Sequence, residues 1–322
     1  MASLPRLLAA LALSLATVAA PAQTDWPTKP VRIVVGFSPG GTTDISARIL
    51  AEQLTRAFNQ TFLVENRAGA SGMIGAAEVA RSAPDGYTFL MGNAGTHAIN
   101  QFIYSKMPYN TQKDFAPVSL VVRVPLVLVV HSSLGVQSLQ ELIDRARAKP
   151  GSINYGSPGT ASPGHLSTEL LKMLAKIELV HVPYKGSGPM QQDLLAGQVQ
   201  MAIDLLPPAL PHIRSGKLLA LGVTSSIPVS ELPNVPTIAS VIPGFESEGW
   251  YALMAPAGTS PLIITKLSAE VDKILHRPEM TERFKQLGAE PVGGTPAELA
   301  AFVASETAKW REVVKTSGAK AD

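Results

Sequence analysis

Twice in 322 residues a short apolar run ends in Ser-Pro-Gly and passes at once into a stretch with helical spacing. The first is Val31–Val35, followed by Gly36-Phe37-Ser38-Pro39-Gly40-Gly41-Thr42, with Leu50, Leu54 and Phe58 recurring every fourth residue beyond it. The second is Ile153–Gly156, followed by Ser157-Pro158-Gly159-Thr160-Ala161-Ser162. Ser162 there suits an N-cap and Pro163 the first helical position. A strand feeding a helix through a short loop is half of a βαβ unit, and such units lay strands parallel with helices on their faces. Loops at the carboxyl ends of parallel strands line the binding crevice. Two such junctions predict two α/β domains whose loops face a common ligand.

The rest of the chain extends that pattern. Strands at Thr61–Glu65 and Tyr87–Met91, a helix at Gly72–Ala80 and the turn Pro84-Asp85-Gly86 complete a first β-α-β-α-β run. Leu120–Val130 is a long apolar run interrupted by Arg123 and Pro125. A proline inside a strand demotes it or moves it to an edge, so this segment reads as a crossing between domains. Helices and strands then alternate to Thr224, and the Pro-, Ser- and Glu-rich Ile227–Gly249 reads as the return crossing. A strand at Trp250–Ala255 and helices opening near Pro261, Pro278 and Pro296 finish the chain. This predicts domain 1 as residues 26–124 plus 246–322 and domain 2 as 125–245. Each is a mainly parallel sheet flanked by helices, with two hinge crossings, and ligands favour the cleft between such domains.

Residues 1–22 read as a signal peptide: Arg6, an apolar stretch Leu7–Ala20, and the small-x-small pattern Ala20-Pro21-Ala22. That apolar stretch is shorter than the roughly 20 residues a membrane span needs. The chain has no cysteine, which excludes disulfides, thiolate metal sites and a cysteine nucleophile. Net charge is +2 and no basic stripe interleaves with aromatics, so nucleic acid is not an expected partner. No metal, no cofactor and a monomer are expected.

Gly36-Phe37-Ser38-Pro39-Gly40 also matches G-x-S-x-G, the nucleophile elbow of serine hydrolases. The elbow needs the N–H of the residue after the serine for its oxyanion hole, and Pro39 has none. Such a donor is worth about 2.7–4 kcal/mol in the transition state. None of the six histidines stands in a recognisable triad context. The loop offers a different chemistry. Gly40-Gly41-Thr42-Thr43 sits before a helix, where glycines let a ligand approach and first-turn N–H groups point outward. With the helix dipole, that is an anion site. The sequence carries neither a Walker loop nor a dinucleotide turn there. The matching loop of the second domain, and a third at Gly92-Asn93-Ala94-Gly95-Thr96-His97, would complete a rim suited to a carboxylate.

Four stretches, VRIVVGFSPGGTTDISARIL, VENRAGASGMIGAAEVARSAPDGYTFLMGN, HVPYKGSGP and LPPALPHIRSGKLLALGVTS, are similar to the Bug/TctC family of periplasmic solute receptors, which serve tripartite tricarboxylate transporters. The resemblance covers about Asp25 to the C-terminus. It implies a two-domain periplasmic-binding-protein (Venus flytrap) fold that closes on a carboxylate: a dicarboxylate, tricarboxylate, acidic amino acid or aromatic acid. It also implies transient docking to the membrane subunits of such a transporter, and no enzymatic role. Carried onto this chain, the first ligand loop is Phe37, Ser38, Pro39, Gly40, Gly41, Thr42 and Asp44. The facing loop is Ser157, Pro158, Gly159, Thr160, Ala161, Ser162 and His165. The rim adds Asn93, Gly95, Thr96 and His97, then Tyr184, Lys185 and Gly186, and finally Asp204. The family usually reads Phe-Asp at that last position, where this chain has Ile203 before Asp204. Asp204 either faces the cleft or caps the helix at Pro207; His97 and His165 either touch ligand or pack their loops. Lys185 is either a rim contact or a solvated lysine. Trp250 and Tyr251 suit core packing better than stacking on an aromatic ligand. Two other readings stand beside the transport receptor: a sensing receptor for a membrane signalling kinase, and a serine hydrolase using Ser38.

Overall fold

The structure is a computed structural model that describes residues 25–321. The predicted signal peptide lies outside the described residues. In chain order the elements are β1 (Val31–Val35), α1 (Thr42–Phe58), β2 (Phe62–Asn66), α2 (Met73–Ala80), β3 (Thr88–Asn93) and α3 (Asn100–Ile103). Next come β4 (Phe115–His131), α4 (Leu139–Ala148), β5 (Asn154–Ser157), α5 (Pro163–Ala175), β6 (Val180–Pro183) and α6 (Ser187–Leu195). β7 (Met201–Leu205), α7 (Leu206–Arg214), β8 (Leu218–Val223) and β9 (Glu248–Pro256) follow. The chain closes with α8 (Pro261–Leu275), α9 (Pro278–Lys285), β10 (Glu290–Gly293) and α10 (Pro296–Ser317).

Two sheets share one strand. The first runs β2-β1-β3-β9-β4-β10 and the second β8-β4-β7-β5-β6. The parallel part expected from βαβ units is β2-β1-β3 and β7-β5-β6. Antiparallel ladders at β9, β4, β8 and β10 are added to these, so each sheet is mixed. β1 is apolar on both faces because helices cover both: Ile33 and Val35 pack with Leu50 and Leu54 of α1, while Val34 packs with Ala76 of α2.

β4 passes from one sheet to the other, as predicted for the crossing, but it does so as a continuous strand. Its prolines do not demote it; it is a 17-residue strand at the centre of the molecule. The register explains both. Beside Pro117 the pairing with β9 slips, a bulge that spares a ladder N–H. Pro125 opposite Glu248 is the last pair with β9, and Leu126 opposite Leu205 the first with β7. The missing N–H falls where the strand changes partners. The return crossing is tied to the same point: Leu126 N–H donates to Thr224 Oγ1 at 2.8 Å, and Ser247 N–H to the Thr224 carbonyl at 3.3 Å.

The register also shows where the loops gather. β3 ends at Asn93, opposite Tyr251, which is opposite Val122. β7 ends at Leu205, opposite Leu126. The two sets of parallel strands therefore point their carboxyl ends at each other across four residues of β4, about 13 Å at ~3.3 Å per residue. That gap is the size of a small molecule.

Candidate functional site

On the β1 side three loops meet. Gly36 lies so close to Gly72 that a Cβ there would sit 2.7 Å from the Gly72 carbonyl oxygen. A Cβ on Gly72, itself at φ +85°, would strike Thr96 and the Phe37 ring. The loop is fastened from below. Asn66 Nδ2 donates to the Phe37 carbonyl at 3.0 Å and to Asp44 Oδ1 at 2.9 Å; Gly40 N–H and Arg48 Nε donate to Asp44 Oδ2 at 2.9 and 3.0 Å. Burial works against a charged Asp44, but the bonds from Arg48, Gly40 and Asn66 outweigh it and hold its carboxyl below the usual range. Asp44 is buried beneath the loop, so it braces the surface instead of forming it.

That surface is Ser38, Pro39, Gly40 and Gly41, all exposed. Gly41 is the N-cap of α1, and no side chain caps the helix. The first-turn donors of a 17-residue helix therefore face outward behind two glycines. Tyr251 of β9 is buried beside Thr43 and Thr42, which puts β9 under this helix end. Asn93 and Thr96 form a reciprocal turn, each backbone N–H donating to the other's side-chain oxygen at 3.0 Å. Gly95 stands in a π-helical turn, Gly95–Ile99.

His97 turns away from this rim. Its ring lies edge-on to Phe115 at 4.8 Å and against Gly92, with Nδ1 2.9 Å from Thr96 Oγ1. It is 1% exposed, and burial pushes its imidazole down to about 3. His97 is a packing residue.

On the β5 side the same Ser-Pro-Gly sequence is spent differently. Ser157 is buried, its Oγ 2.6 Å from His181 Nε2, and it accepts the Gly159 N–H at 3.2 Å. Gly186 N–H donates to the Pro158 carbonyl at 2.9 Å and Tyr184 N–H to the Ser157 carbonyl at 3.0 Å, which joins the two turns. Ser162 caps α5 as predicted, accepting the His165 N–H at 3.3 Å. Ala161, left-handed at φ +62°, donates its N–H to His165 Nδ1 at 3.0 Å. Thr160 and Lys185 are exposed, and Pro158, Gly159, Ala161, Ser162 and Gly186 are half-buried. His165 itself lies under the loop. The Tyr184 hydroxyl donates to Asp193 Oδ2 at 2.8 Å.

Asp204 does not cap the helix at Pro207. It is buried and accepts from Ser187 Oγ (2.9 Å), Gln191 Nε2 (3.0 Å) and Leu205 N–H (2.9 Å). It thus ties the first turn of α6 to the end of β7, and α7 starts without a side-chain cap. Burial raises its pKa against those three bonds. Trp250 is core, with its indole N–H on Glu306 at 3.0 Å. Sequence reasoning missed the Gly69–Gly72 loop, where Ala70 and Ser71 both hold positive φ. Its signal was present in the run of small residues before a helix, the same cue that marked Gly40-Gly41.

Among the described residues no histidine hydrogen-bonds to Ser38, and no group of three or more His, Asp or Glu could hold a metal ion. A family model described as "Tripartite tricarboxylate transporter family receptor" matches residues 46–319. The chain belongs to this family. Protein BugT of Bordetella pertussis is 41% identical over 323 residues, 99% of each chain. Among solved structures of the family's fold, R. palustris Rpa4515 with adipate is 42% identical, covering 92% of this chain and 99% of its own at a TM-score of 0.78. MatC from Rhodopseudomonas palustris, with bound malate, is 34% identical, covering 90% of this chain and 100% of its own at a TM-score of 0.72. The two-lobed α/β fold expected from the sequence is thus the fold of this receptor family.

Proposed function

We propose that this receptor works in the periplasm, capturing a small carboxylate between two lobes and delivering it to the membrane subunits of a tripartite tricarboxylate transporter. The lobes are residues 26–124 with 246–322, and 125–245; residues 1–22 direct export. The carrying observation is the uncapped N-terminus of α1 behind the exposed Gly40-Gly41 turn. An anion there meets backbone donors and the positive end of a helix dipole, without a metal. The loops of the second lobe lie across the same stretch of β4 and close the other side. Hinge motion at Pro125–Leu126 and Thr224–Ser247 brings them together. The relatives with adipate and with malate support a ligand bearing carboxylates. Pro39 argues for binding without catalysis, because Ser38 lacks the oxyanion donor that acyl transfer needs.

The test is a thermal-shift panel on the mature protein, from about Gln23, after ligand carried through purification is stripped by unfolding and refolding. The panel holds aliphatic mono-, di- and tricarboxylates, acidic amino acids and aromatic acids. A ligand at about 100 times its Kd stabilises by about 2.7 kcal/mol, an evident shift. Dicarboxylates are the expected hits. No shift with any carboxylate, from refolded protein shown to be native, would overturn the reading.

A further inference from the structure

Behind the 157–162 loop lies an aromatic stack, with His165 buried and His181 half-buried. His165 of α5 and His181 of β6 stack at 4.1 Å with their planes 21° apart, and Tyr155 of β5 stacks on His181 at 4.8 Å. Each imidazole reaches the loop through a different atom. His165 Nδ1 accepts the Ala161 N–H, and His181 Nε2 meets the Ser157 hydroxyl. The first contact has a fixed direction: a backbone N–H can only donate, so His165 Nδ1 must carry a lone pair. Ala161 is the residue that needs this help, since a left-handed backbone is strained for any side chain with a Cβ.

The stack is buttressed on its far side. The Tyr155 hydroxyl donates to Glu169 Oε1 at 2.6 Å, and Lys172 donates to both oxygens of Glu169 at 2.9 and 3.0 Å. With Lys172 and Tyr155 already on its oxygens, Glu169 stands 4.0 Å from His165 Nε2. Two stacked imidazoles do not both carry charge at that separation. Burial first, then His181, keeps His165 neutral.

We propose that His165 and His181 are positioning residues, a stacked pair that fixes the 157–162 loop in its ligand-meeting shape without touching ligand. The inference rests on the receptor reading for the role of that loop. It assigns the histidines a different part from the rim contact that the family pattern implied for His165.

The experiment separates an acceptor at Nδ1 from the bulk of the ring. His165→Phe keeps an aromatic ring in the stack and removes the acceptor. His165→Asn puts a carbonyl oxygen close to the place of Nδ1 and gives up the stack. Affinity for the best carboxylate of the panel is measured by calorimetry, with the melting temperature of each ligand-free variant beside it. The expected result is about tenfold weaker binding in His165→Phe and recovery to within about threefold in His165→Asn. Wild-type affinity in His165→Phe, or equal loss in both variants, would overturn the proposal.

A second readout needs no ligand. Hydrogen exchange at the Ala161 amide, followed by NMR in ligand-free protein, should accelerate about tenfold in His165→Phe and return towards wild type in His165→Asn. Unchanged exchange in His165→Phe overturns the positioning role whatever the protein binds. Accelerated exchange in a protein that takes no carboxylate keeps the positioning role and removes only the receptor reading.

Discussion

The loops after β1 and after β5 begin with the same Ser-Pro-Gly and end in a helix, yet they are built in opposite ways. After β1, Ser38 to Gly41 are exposed, α1 has no side-chain cap, and the supporting bonds all come from beneath, through Asp44 and Asn66. After β5, Ser157 is buried, Ser162 caps α5, and two histidines take the remaining polar groups. Apart from the Gly40 N–H, which Asp44 takes, the first loop leaves its helix end uncapped; the second satisfies its polar groups internally. A sequence motif fixes where a loop lies in the fold. What the loop does depends on whether its hydrogen bonds are already satisfied.

Acid should expose that difference most strongly. His97 behind the first lobe's rim and His165 behind the second lobe's loop are held neutral, down to about 3 and about 4, against about 6.5 when unfolded. Between those values the unfolded chain binds more protons than the folded one. Their contribution is therefore whole above about pH 6.5 and is lost as pH falls towards 4. Each tenfold of proton preference is worth about 1.4 kcal/mol, so the pair together accounts for several kcal/mol. Urea unfolding at pH 7.5 and 4.5 should show a marked drop in wild type and a smaller one in His97→Asn. Equal drops in the two proteins would clear His97 of the effect.

Two glycines sharpen the comparison. A Cβ on Gly164, in the first turn of α5, would collide with the Ile203 carbonyl oxygen and lie 3.2 Å from Pro158 Cδ. Gly164→Ala should cost about 3 kcal/mol of stability, the upper end for overpacking, because both neighbours are constrained. Gly41 is the reverse case. Its backbone is extended (φ −77°, ψ 165°), and a Cβ would come no closer than 3.9 Å to the Ser38 carbonyl. Gly41→Leu should leave the melting temperature alone and weaken carboxylate binding about a hundredfold, close to 2.7 kcal/mol. Wild-type affinity in that variant would remove the helix end from the site.

How much of this was legible follows from the same contrast. Strand-loop-helix grammar is local, so β1, α1, β5 and α5 and their loops could be read from residues that stand next to each other. β4 could not, because Pro125 is tolerated only where the ladder passes from β9 to β7, and those partners lie far along the chain. β10 was missed for a related reason: Glu290–Gly293 is four residues long, contains a proline, and is a strand only because β4 offers it an edge. Within the site, loop membership was readable but side-chain direction was not. Asp44, His97, Ser157, His165 and Asp204 all lie in or beside the expected loops or strand ends, and all are buried beneath or behind them. Their types gave no warning, because a short polar residue serves equally as a contact or as a brace.

The smallest expected effect bears most directly on why the two helix ends differ. Ser162→Ala removes the cap of α5 and should cost about 1 kcal/mol, roughly 2 °C in melting temperature. It also frees the His165 N–H, leaving α5 with the kind of open end that α1 has now. If the second loop contributes shape alone, affinity for the best carboxylate should stay within about threefold of wild type, with a small loss from looser geometry. If binding instead tightens, the freed helix end has taken part of the anion, and capping is then the feature that confines the charge to the first lobe. Calorimetry on Ser162→Ala beside Gly41→Leu decides between these. The double variant carries the argument further: partial recovery of binding lost in Gly41→Leu would show that either helix end can serve and that the cap alone sets the orientation of the ligand.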